Sequence, residues 1–568
     1  MLVPGSQRRP SYAFTWLILA ACAACAACSE ARARVLPAMY SRSTPSEAAR
    51  PPGVPSDAEL EVRGARIGDI RITQHQLFDL RHPDEDSSLS RTANRLHIPT
   101  RDSTISDQLL FRAGEPYRAS LLQESARILR DTRYLRDAQI RPVAWHDGMV
   151  DVEVSTQDVW TFNPGFSFGR KGGANTGGIA LEELNFFGLG TQVGLALTSS
   201  VDRDTRAVYY RDRHLGSSWW DLSTTYSDNS DGRLAELSLA RPFYALDSRW
   251  AAGVALTDDE RIDSRYDLGD VVDRYQAHDR RSTIYWGRSS GLVAGWARRY
   301  SFGVSVEDHA FDALAGADAT RLLPGDRRLV YPWAAVEWIE NDFRTVRNRD
   351  QIDRIEDYSL GWHARTQAGL AATATGSDRD ALMFDASLGK GWALGSRQSL
   401  LLDTEAGGRV EQGAIRGGKL GASAHYYFRQ SPQRVLFVEL SGEAGIRLDT
   451  DQQILLGGDN GLRGYPLRYQ SGDGRWLFTA EQRFFTHWYP FRLFNVGAAV
   501  FYDMGATWGR DPLGAPSLGL LRDVGVGLRL GNSRSALGNV LHIDLAFPLD
   551  GDSSLQGLQF LVETRKSF

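Results

Sequence analysis

The chain has 568 residues, a formal net charge of −5, 42% hydrophobic residues and 24% charged residues. These proportions exclude a disordered polymer and a bundle of membrane helices, since the only long uncharged apolar run lies in the first thirty residues. The small net charge provides no basic field for nucleic acid, and the 56 glycines, 15 Trp, 20 Tyr and 24 Phe indicate short strands, tight turns and aromatic belts.

Residues 1–33 are typical of a secretory signal peptide. Arginines near the start precede an apolar segment over 13–27 that is too short to span a bilayer comfortably. Two cleavage positions stay open: one follows Ala33, and the other is Leu19-Ala20-Ala21-Cys22, which resembles a bacterial lipobox and would place a lipid on Cys22. All three cysteines lie in or next to this segment, which excludes a disulfide-stabilised fold for the rest of the chain.

Two regions of different character follow the signal peptide. Residues 34–60 are rich in Ala, Arg, Pro and Ser without strand or helix periodicity, which predicts a disordered linker. Residues 61–157 predict a small α/β domain, with a strand over 67–73, helical segments, and a hairpin with arms 138–145 and 149–155. The sequence therefore predicts a tether and then a folded domain.

The α/β domain has two predicted buried faces. In the second hairpin arm Val150, Val152 and Val154 alternate with polar residues, and the Asp147-Gly148 turn suits positive φ. Pro116 is predicted to open a helix with an apolar and a solvated face. These faces consist of Leu122, Ala126 and Leu129 and of Arg118, Arg127 and Arg130, respectively.

The region 158–568 has the period of β-strands. In residues 494–505 every second residue is apolar and those between are mainly small or polar, and similar alternation recurs over 477–485, 523–530 and 541–547. A soluble sandwich also alternates, but the signal peptide favours a transmembrane antiparallel barrel with apolar residues towards lipid and polar ones towards the lumen. The region holds on the order of 16–20 strands. Nearer twenty candidate segments are present, some of them loop hairpins.

A glycine-rich segment places one arginine among residues that allow close backbone packing. It reads Gly457-Gly458-Asp459-Asn460-Gly461-Leu462-Arg463-Gly464-Tyr465. Such a segment delivers a guanidinium to a fixed place, although a flexible outer loop is the alternative. Glu481 and Asp503 fall on the lumen-facing registers of the next two strands, and buried carboxylates need a cationic partner. The registers predict that Arg463 forks between them.

These residues resemble the motifs of the superfamily of BamA-type outer-membrane insertases and two-partner-secretion translocators. Gly461-Leu462-Arg463-Gly464-Tyr465 resembles the (V/I)RG(F/Y) loop motif, with Leu462 in place of Val or Ile, and Phe501-Tyr502-Asp503-Met504-Gly505 resembles the (F/G)xDxG strand motif. Residues 480–484 resemble the intervening strand with its inward Glu481, and Phe568 resembles the aromatic C-terminus by which such barrels are recognised for assembly.

The resemblance extends to the N-terminal region. Phe111-Arg112-Ala113-Gly114, the helix after it and the Val-rich hairpin resemble one polypeptide-transport-associated (POTRA) domain over 61–157, and Glu183 to Gly188 resembles an early barrel strand. The family's general insertases carry several such domains and its secretion translocators typically two. The chain also has no Gly-x-Ser-x-Gly lipase elbow before the POTRA-like region. The single domain leaves the client open.

The resemblance implies a 16-stranded outer-membrane barrel over 158–568 with the POTRA domain in the periplasm. It implies insertion or export of unfolded polypeptide clients, with membrane lipids and accessory proteins as partners, and pairing of Arg463 with Glu481 and Asp503. A POTRA edge would capture the client by strand addition. The client would pass through the lumen or through a seam between residues 162–169 and 558–568. The alternatives are a passive pore or structural surface antigen and, third, lipid movement.

The sequence offers little support for catalysis. The eleven histidines show no metal-site spacing, Asp84-Glu85-Asp86 is typical of a solvated acidic turn, and Asp449 and Asp451 lack the rest of a calcium loop. His542 is predicted to face the lumen without a serine partner. The expectation is a protein that is not an enzyme and that binds no metal, cofactor or nucleic acid.

Overall fold

The computed structural model describes residues 50–83, 85–314, 323–352, 354–490, 494–509, 517–532, 534–535, 540–551, 555 and 557–565. The chain divides into units 1–46 and 47–568, and all described residues lie in the second. The predicted signal peptide, Cys22 and Phe568 lie outside the described residues. No helix within those residues is long and apolar enough to cross a membrane.

The N-terminal part of the described chain is a three-stranded sheet with helices. The helices are α1 (Asp57–Val62), α2 (Ser88–Leu96), α3 (Asp102–Ser106) and α4 (Ala119–Asp131), and the strands are β1 (Arg66–His75), β2 (Leu135–His146) and β3 (Met149–Asp158). The sheet order is β1-β3-β2, with β1 parallel and β2 antiparallel to the central β3. Both β1 and β2 are therefore edge strands.

The predicted buried faces of this region are present. Val150, Val152 and Val154 are fully buried, and the apolar face of α4 packs against them in one core. The turn between β2 and β3 has positive φ at both Asp147 and Gly148, as the Asp-Gly pair predicts. Periodicity was sufficient here because each element is amphipathic.

Three local predictions were wrong. Pro116 does not open α4, which begins at Ala119, because Pro116 forms a β-bridge with Arg66 instead. The C-terminal end of the predicted linker belongs to α1, where Ser56 and Glu59 form a capping box and Leu60 is buried. Two arginines of α4 predicted to lie in solvent, Arg127 and Arg130, are largely buried against other parts of the chain.

The rest of the described chain consists almost entirely of strands. In chain order they are β4 (Phe162–Lys171), β5 (Ala174–Phe186), β6 (Thr191–Ser199), β7 (Asp204–Asp212), β8 (Asp221–Asn229), β9 (Gly232–Arg241), β10 (Trp250–Asp267), β11 (Asp270–Val293), β12 (Trp296–Ala313), β13 (Arg327–Glu340), β14 (Phe343–Arg347), β15 (Ile355–Ser359), β16 (His363–Ala371), β17 (Ala381–Ala393), β18 (Gln398–Glu411), β19 (Ala414–Ser431), β20 (Arg434–Ile446), β21 (Ile454–Leu456), β22 (Gln470–Gly472), β23 (Gly474–Phe485), β24 (Asn495–Trp508), β25 (Leu521–Gly531), β26 (Val540–Pro548) and β27 (Gln559–Arg565).

Twenty of these strands form one closed antiparallel barrel. The remaining strands form two separate hairpins, β14–β15 and β21–β22, as expected for a chain with loop hairpins among its candidate segments. The expectation of 16 wall strands was wrong. Alternation identifies strands but does not reveal which of them pair around the wall, so the family's strand number was no substitute for the observed pairing.

Wall strands alternate as predicted between an apolar outer face and a polar inner face. In β25, Val524, Val526 and Leu528 are exposed on the outside, whereas Asp523 and Arg529 are fully buried inside. This is the arrangement of a barrel that faces lipid outwards and encloses polar groups.

The barrel has one weakly paired seam. Among the described residues the first and last wall strands, β4 and β27, share a single residue pair, Arg170 with Val562, beside an ion pair between Lys171 and Glu563 at 2.8 Å. The neighbouring strands β26 and β27 share seven pairs. Because hydrogen-bonded pairing holds a barrel wall together, the β4–β27 junction is its least secured position.

The N-terminal region packs on the barrel end at which β4 begins, and we call this the proximal end and the opposite one the distal end. The hydroxyl of Thr104 donates to the carbonyl of Gly188 at 2.9 Å, and the amide of Leu246 donates to the carboxylate of Glu124 at 2.8 Å. Burial raises the pKa of that Glu124 carboxyl. Turns at the proximal end of the barrel thus hold α3 and α4.

Candidate functional site

The segment between β20 and β23, residues 447–473, folds back into the distal half of the barrel; we call it the lumen loop. Between its strands β21 and β22 lie glycines that leave no room for side chains. A Cβ on Gly464 would lie 2.6 Å from the Asp523 Cβ, and one on Gly461, where φ is +126°, would lie 2.1 Å from the Leu477 side chain. These glycines bring the loop backbone into direct contact with β23 and β25.

This close approach places Arg463 between two carboxylates. Its Nε and Nη2 donate to the two oxygens of Asp503 at 2.7 and 2.9 Å, and its Nη1 donates to Glu481 at 2.9 Å. The guanidinium also stacks on Phe501, 3.3 Å from the ring centroid. All three charged side chains are almost completely buried. This is the fork that the strand registers predict.

The remaining residues of the loop motif fix the loop in apolar surroundings. Leu462 and Tyr465 are fully buried in a cluster with residues of the loop and of β23 and β25. The Tyr465 hydroxyl donates to the carbonyl of Arg522 at 2.8 Å and accepts from its amide at 3.1 Å. In β24, a Cβ on Gly505 would lie 2.7 Å from the Trp476 carbonyl oxygen. The motif therefore combines a charged anchor with tight apolar packing.

The charged cluster is larger than the predicted trio. Arg529 contacts both Asp544 and Glu481, the latter at 3.3 Å, and Asp544 lies 3.8 Å from Arg463. Arg483 donates to the other oxygen of Glu481 at 2.9 Å. The alternation of the strands in the sequence could have identified these residues, since each of them lies on the inner face of an alternating strand. Several guanidinium groups and carboxylates thus share one buried network.

Salt bridges also tie the flanks of the lumen loop to distant parts of the wall. Arg409 of β18 donates to both oxygens of Asp449 at 2.7 Å, and Arg327 of β13 donates to both oxygens of Asp451 at 2.9 and 2.8 Å. Arg468 pairs with Asp202 on the opposite side at 2.6 Å. The lumen loop is therefore fixed to the wall at several points around the circumference. Asp449 and Asp451 both serve as partners of arginines.

A second insertion occupies the proximal end of the lumen. The proximal hairpin, β14–β15, connects β13 to β16, and Asp350 in its turn accepts from Tyr427 at 3.0 Å and from Arg483 at 3.2 Å. Asp357 forms a two-pronged ion pair with Arg130 of α4 at 2.7 and 2.8 Å. The sequence reasoning did not identify this hairpin as functional.

The buried Glu356 gives this hairpin a titratable group. Its carboxylate accepts from the amides of Arg349, Asp350 and Gln351, but burial and the nearby Asp350 raise its pKa to about 7. The titration of this group is consequently moved towards neutral pH.

The residues considered for metal or catalytic chemistry are distributed differently. Among the described residues, no group of three or more His, Cys, Asp or Glu is arranged to hold a metal ion. Glu85 is not simply solvated, because it pairs with Arg534 of the barrel at 2.5 Å; Asp84 lies outside the described residues. His542 is buried and faces the lumen, as predicted.

Comparisons with known proteins give several solved structures that are similar to this chain. Similar solved structures include BamA from Haemophilus ducreyi lacking POTRA domains 1–3 (13% identity, TM-score 0.38, 88% of this chain and 85% of that one) and CdiB from Acinetobacter baumannii (11%, 0.39, 88% and 73%). Another is CdiB from Escherichia coli (12%, 0.43, 89% and 77%). No curated protein sequence matches the chain.

A family model described as the Omp85 superfamily domain matches residues 185–562. The match covers more than half of the chain and includes the lumen loop, β23 to β26 and most of β27. The protein is thus an outer-membrane β-barrel, and the chain belongs to the Omp85 superfamily.

Proposed function

We propose that this protein inserts polypeptides into the outer membrane or moves them across it, without a nucleotide cofactor. The observation that carries the proposal is the seam, where the described residues of β4 and β27 share one residue pair while those of β26 and β27 share seven. A junction with so little backbone pairing is where the wall can open and expose strand edges to a client, once the ion pair between Lys171 and Glu563 across it is broken. Membership of the Omp85 superfamily supports the same function.

Residues 57–158 act in this proposal as a POTRA domain on the periplasmic side. The sheet order places β1 and β2 at its edges, where an extended client segment is captured by main-chain hydrogen bonds that are indifferent to sequence. Pro142 in β2 fits an edge strand, because proline has no amide to donate to a neighbour. On that edge Arg354 and Arg130 already bind the carbonyls of Leu135 and Ala138, so the free stretch lies beyond Ala138.

The two lumenal insertions favour the lateral route. The lumen loop is held by buried and circumferential ion pairs, and the proximal hairpin is held by Asp350 and Asp357 at the other end. Passage through the lumen requires both to move. Passage at the seam requires only that the β4–β27 junction separates, so we propose that clients leave the proximal end laterally.

The seam can be locked chemically to test the route. The described chain contains no cysteine, and Arg170 and Val562 are direct partners across the junction. The variant Arg170→Cys/Val562→Cys should form a disulfide that blocks insertion under oxidising conditions and releases it under reducing ones. The control Leu388→Cys/Thr404→Cys links a well-paired part of the wall and should have no effect. Unimpaired insertion with a fully formed seam disulfide would overturn the lateral route.

The function itself is tested by deletion of the gene and quantification of the outer-membrane and secreted proteomes. Loss of one or a few exported proteins would identify a dedicated translocator, and a broad fall in other barrels would identify a general insertase. An unchanged proteome, together with large and steady conductance in planar bilayers, would refute the proposal in favour of a passive pore or a structural surface antigen.

A further inference from the structure

A cavity of about 940 Å³ lies where α4, the proximal ends of the β6–β9 wall and the proximal hairpin meet. We call it the mouth cavity. Its lining is unusually rich in guanidinium groups. The arginines are Arg127, Arg130, Arg133, Arg211, Arg213 and Arg354.

Three of these arginines are neutralised by carboxylates in the same lining. The closest nitrogen–oxygen distances of these pairs are 2.6 to 3.1 Å. The pairs are Arg130 with Asp357, Arg211 with Asp221, and Arg213 with Asp131. They account for three of the four acidic residues that line the cavity.

None of the other three arginines has a carboxylate within hydrogen-bond distance among the described residues. Arg127 lies 3.9 Å from Glu124 and stacks on Phe343 at 4.0 Å. Arg354 donates only to the carbonyl of Leu135, at 3.2 Å, and Arg133 forms neither a hydrogen bond nor an ion pair with any residue that the structure describes. Burial lowers the pKa of both Arg127 and Arg354, although Glu124 acts in the opposite direction on Arg127 and Glu356 on Arg354.

The fourth acidic lining residue, Glu356, offsets only part of this charge. Its oxygens accept from amides of its own hairpin, and burial raises its pKa to about 7. The lining therefore holds more guanidinium groups than carboxylates, with six arginines against four acidic residues, and an excess of positive charge remains when Glu124, which lies 3.9 Å from Arg127, is counted as well. These arginines are half-buried, and a bound anion would stabilise such an excess of positive charge.

The lining also contains an apolar surface beside the arginines. Trp219 and Tyr244 stack with their ring centroids 4.0 Å apart, and Phe343 lies near Arg127. Guanidinium groups bind carboxylates and phosphates in a forked geometry, whereas the aromatic rings accept apolar or aromatic groups. The matching ligand combines negative charge with apolar side chains.

The position of the cavity selects among such ligands. The wall residues that line it, including Arg211 and Asp221, alternate with outward-facing, exposed residues such as Val208 and Tyr226. They thus face the lumen, and a lipid would have to leave the bilayer to reach them. A polypeptide at the proximal end meets no such barrier.

We propose that the mouth cavity binds an acidic segment of a client polypeptide, with Arg127, Arg133 and Arg354 as its carboxylate-binding groups. This inference rests on the proposed function and specifies the chemistry of the client. The strand edge of β2 binds any extended chain through its backbone, whereas the mouth cavity selects side chains. Arg354 joins the two features, since it lines the cavity and caps the carbonyl of Leu135 on that edge.

The test uses the full-length protein in detergent micelles and fluorescence anisotropy of labelled peptides. The probe is a Gly/Ser peptide with several glutamates and one tyrosine, and matched peptides carry glutamine or lysine in place of glutamate. We expect selective, salt-sensitive binding of the acidic peptide. The variant Arg127→Gln/Arg133→Gln/Arg354→Gln should weaken this binding about tenfold or more. The matched control Arg63→Gln/Arg95→Gln/Arg112→Gln changes exposed arginines of the same domain and should leave it unchanged.

Each other result overturns the proposal. Equal affinity for the glutamate and glutamine peptides would show that the protein does not select acidic side chains. Equal loss of peptide binding in both triple variants would attribute the binding to the overall charge of the protein. Competition by phosphatidylglycerol vesicles, but not by phosphatidylcholine vesicles, would assign the cavity to an anionic headgroup. If the triple variant does not fold, Arg133→Gln replaces it, because that side chain has no described ionic partner. A depleted proteome without acid-selective binding would refute the cavity alone, and acid-selective binding with an unchanged proteome would refute the transport function.

Discussion

Removal of the Arg463 side chain should release the lumen loop. The change Arg463→Ala deletes both cationic hydrogen bonds to Asp503, the bond to Glu481 and the stacking on Phe501. Glu481 retains Arg483 and Arg529, but Asp503, which is fully buried, loses its guanidinium. Breaking a buried ion pair on one side costs about 3–5 kcal/mol, which corresponds to roughly a hundredfold to a few thousandfold more undocked loop.

The readouts are planar-bilayer conductance, protease cleavage within residues 447–473, and the temperature of the heat-induced gel shift. We expect larger and noisier conductance, faster cleavage and a lower transition temperature. Arg463→Lys keeps the charge without the fork and should have a smaller effect. Arg463→Ala/Asp503→Asn removes the orphaned charge and should recover part of the stability. If all three readouts of Arg463→Ala equal those of the wild type, the pairing does not hold the loop.

Three further outcomes follow from the geometry. Gly464→Ala should displace the lumen loop and lower the free energy of unfolding by about 1–3 kcal/mol, because its Cβ would lie 2.6 Å from that of Asp523. The control Gly442→Ala, whose Cβ meets nothing closer than 3.6 Å, should be neutral. Equal gel-shift temperatures of the two variants would contradict this. The pKa of Glu356 is raised to about 7 in the folded protein. Its contribution to the free energy of unfolding is therefore fully present below the pKa of the unfolded chain, near 4.5, and is lost as the pH rises through 7. Glu356→Gln should therefore stabilise the protein at pH 8, by about 3 kcal/mol at most, with no comparable gain at pH 5, and a gain that is independent of pH would exclude titration of this group. A photo-crosslinker at Gln139, exposed on β2, should capture unfolded polypeptide in cells, whereas one at Ser88 on α2 should not, and identical capture at both would argue against strand addition.

The buried pairing around Arg463 was predictable because strand alternation is a local property. Once Glu481 and Asp503 are placed on inward registers, a glycine-flanked arginine nearby has few other ways to satisfy them. The same parity also placed Arg529 and Asp544 inside, although their mutual contact requires β25 and β26 to be neighbours in register. The sequence therefore predicts whether a side chain faces the lumen or the lipid. It predicts contacts between two strands only where those strands follow one another in the chain.

The proximal hairpin was not predictable for the opposite reason. Its strands are five residues long and alternate like wall strands, so nothing local separates them from the barrel. Its defining contacts join residues that are distant in sequence: Asp350 and Arg483 are 133 positions apart, and Arg130 and Asp357 are 227 positions apart. The helical wheel of α4 placed Arg127 and Arg130 in solvent because it takes solvent to be the only alternative to the core. In this protein α4 instead packs against a second charged surface, the proximal hairpin. Arginines on a helix face can be hydrogen-bonded by water or by carboxylates, and the sequence of the helix does not distinguish the two. The hairpin supplies a carboxylate for only part of that face, since Asp357 pairs with Arg130 whereas Arg127 faces the mouth cavity, which Arg354 of the hairpin also lines.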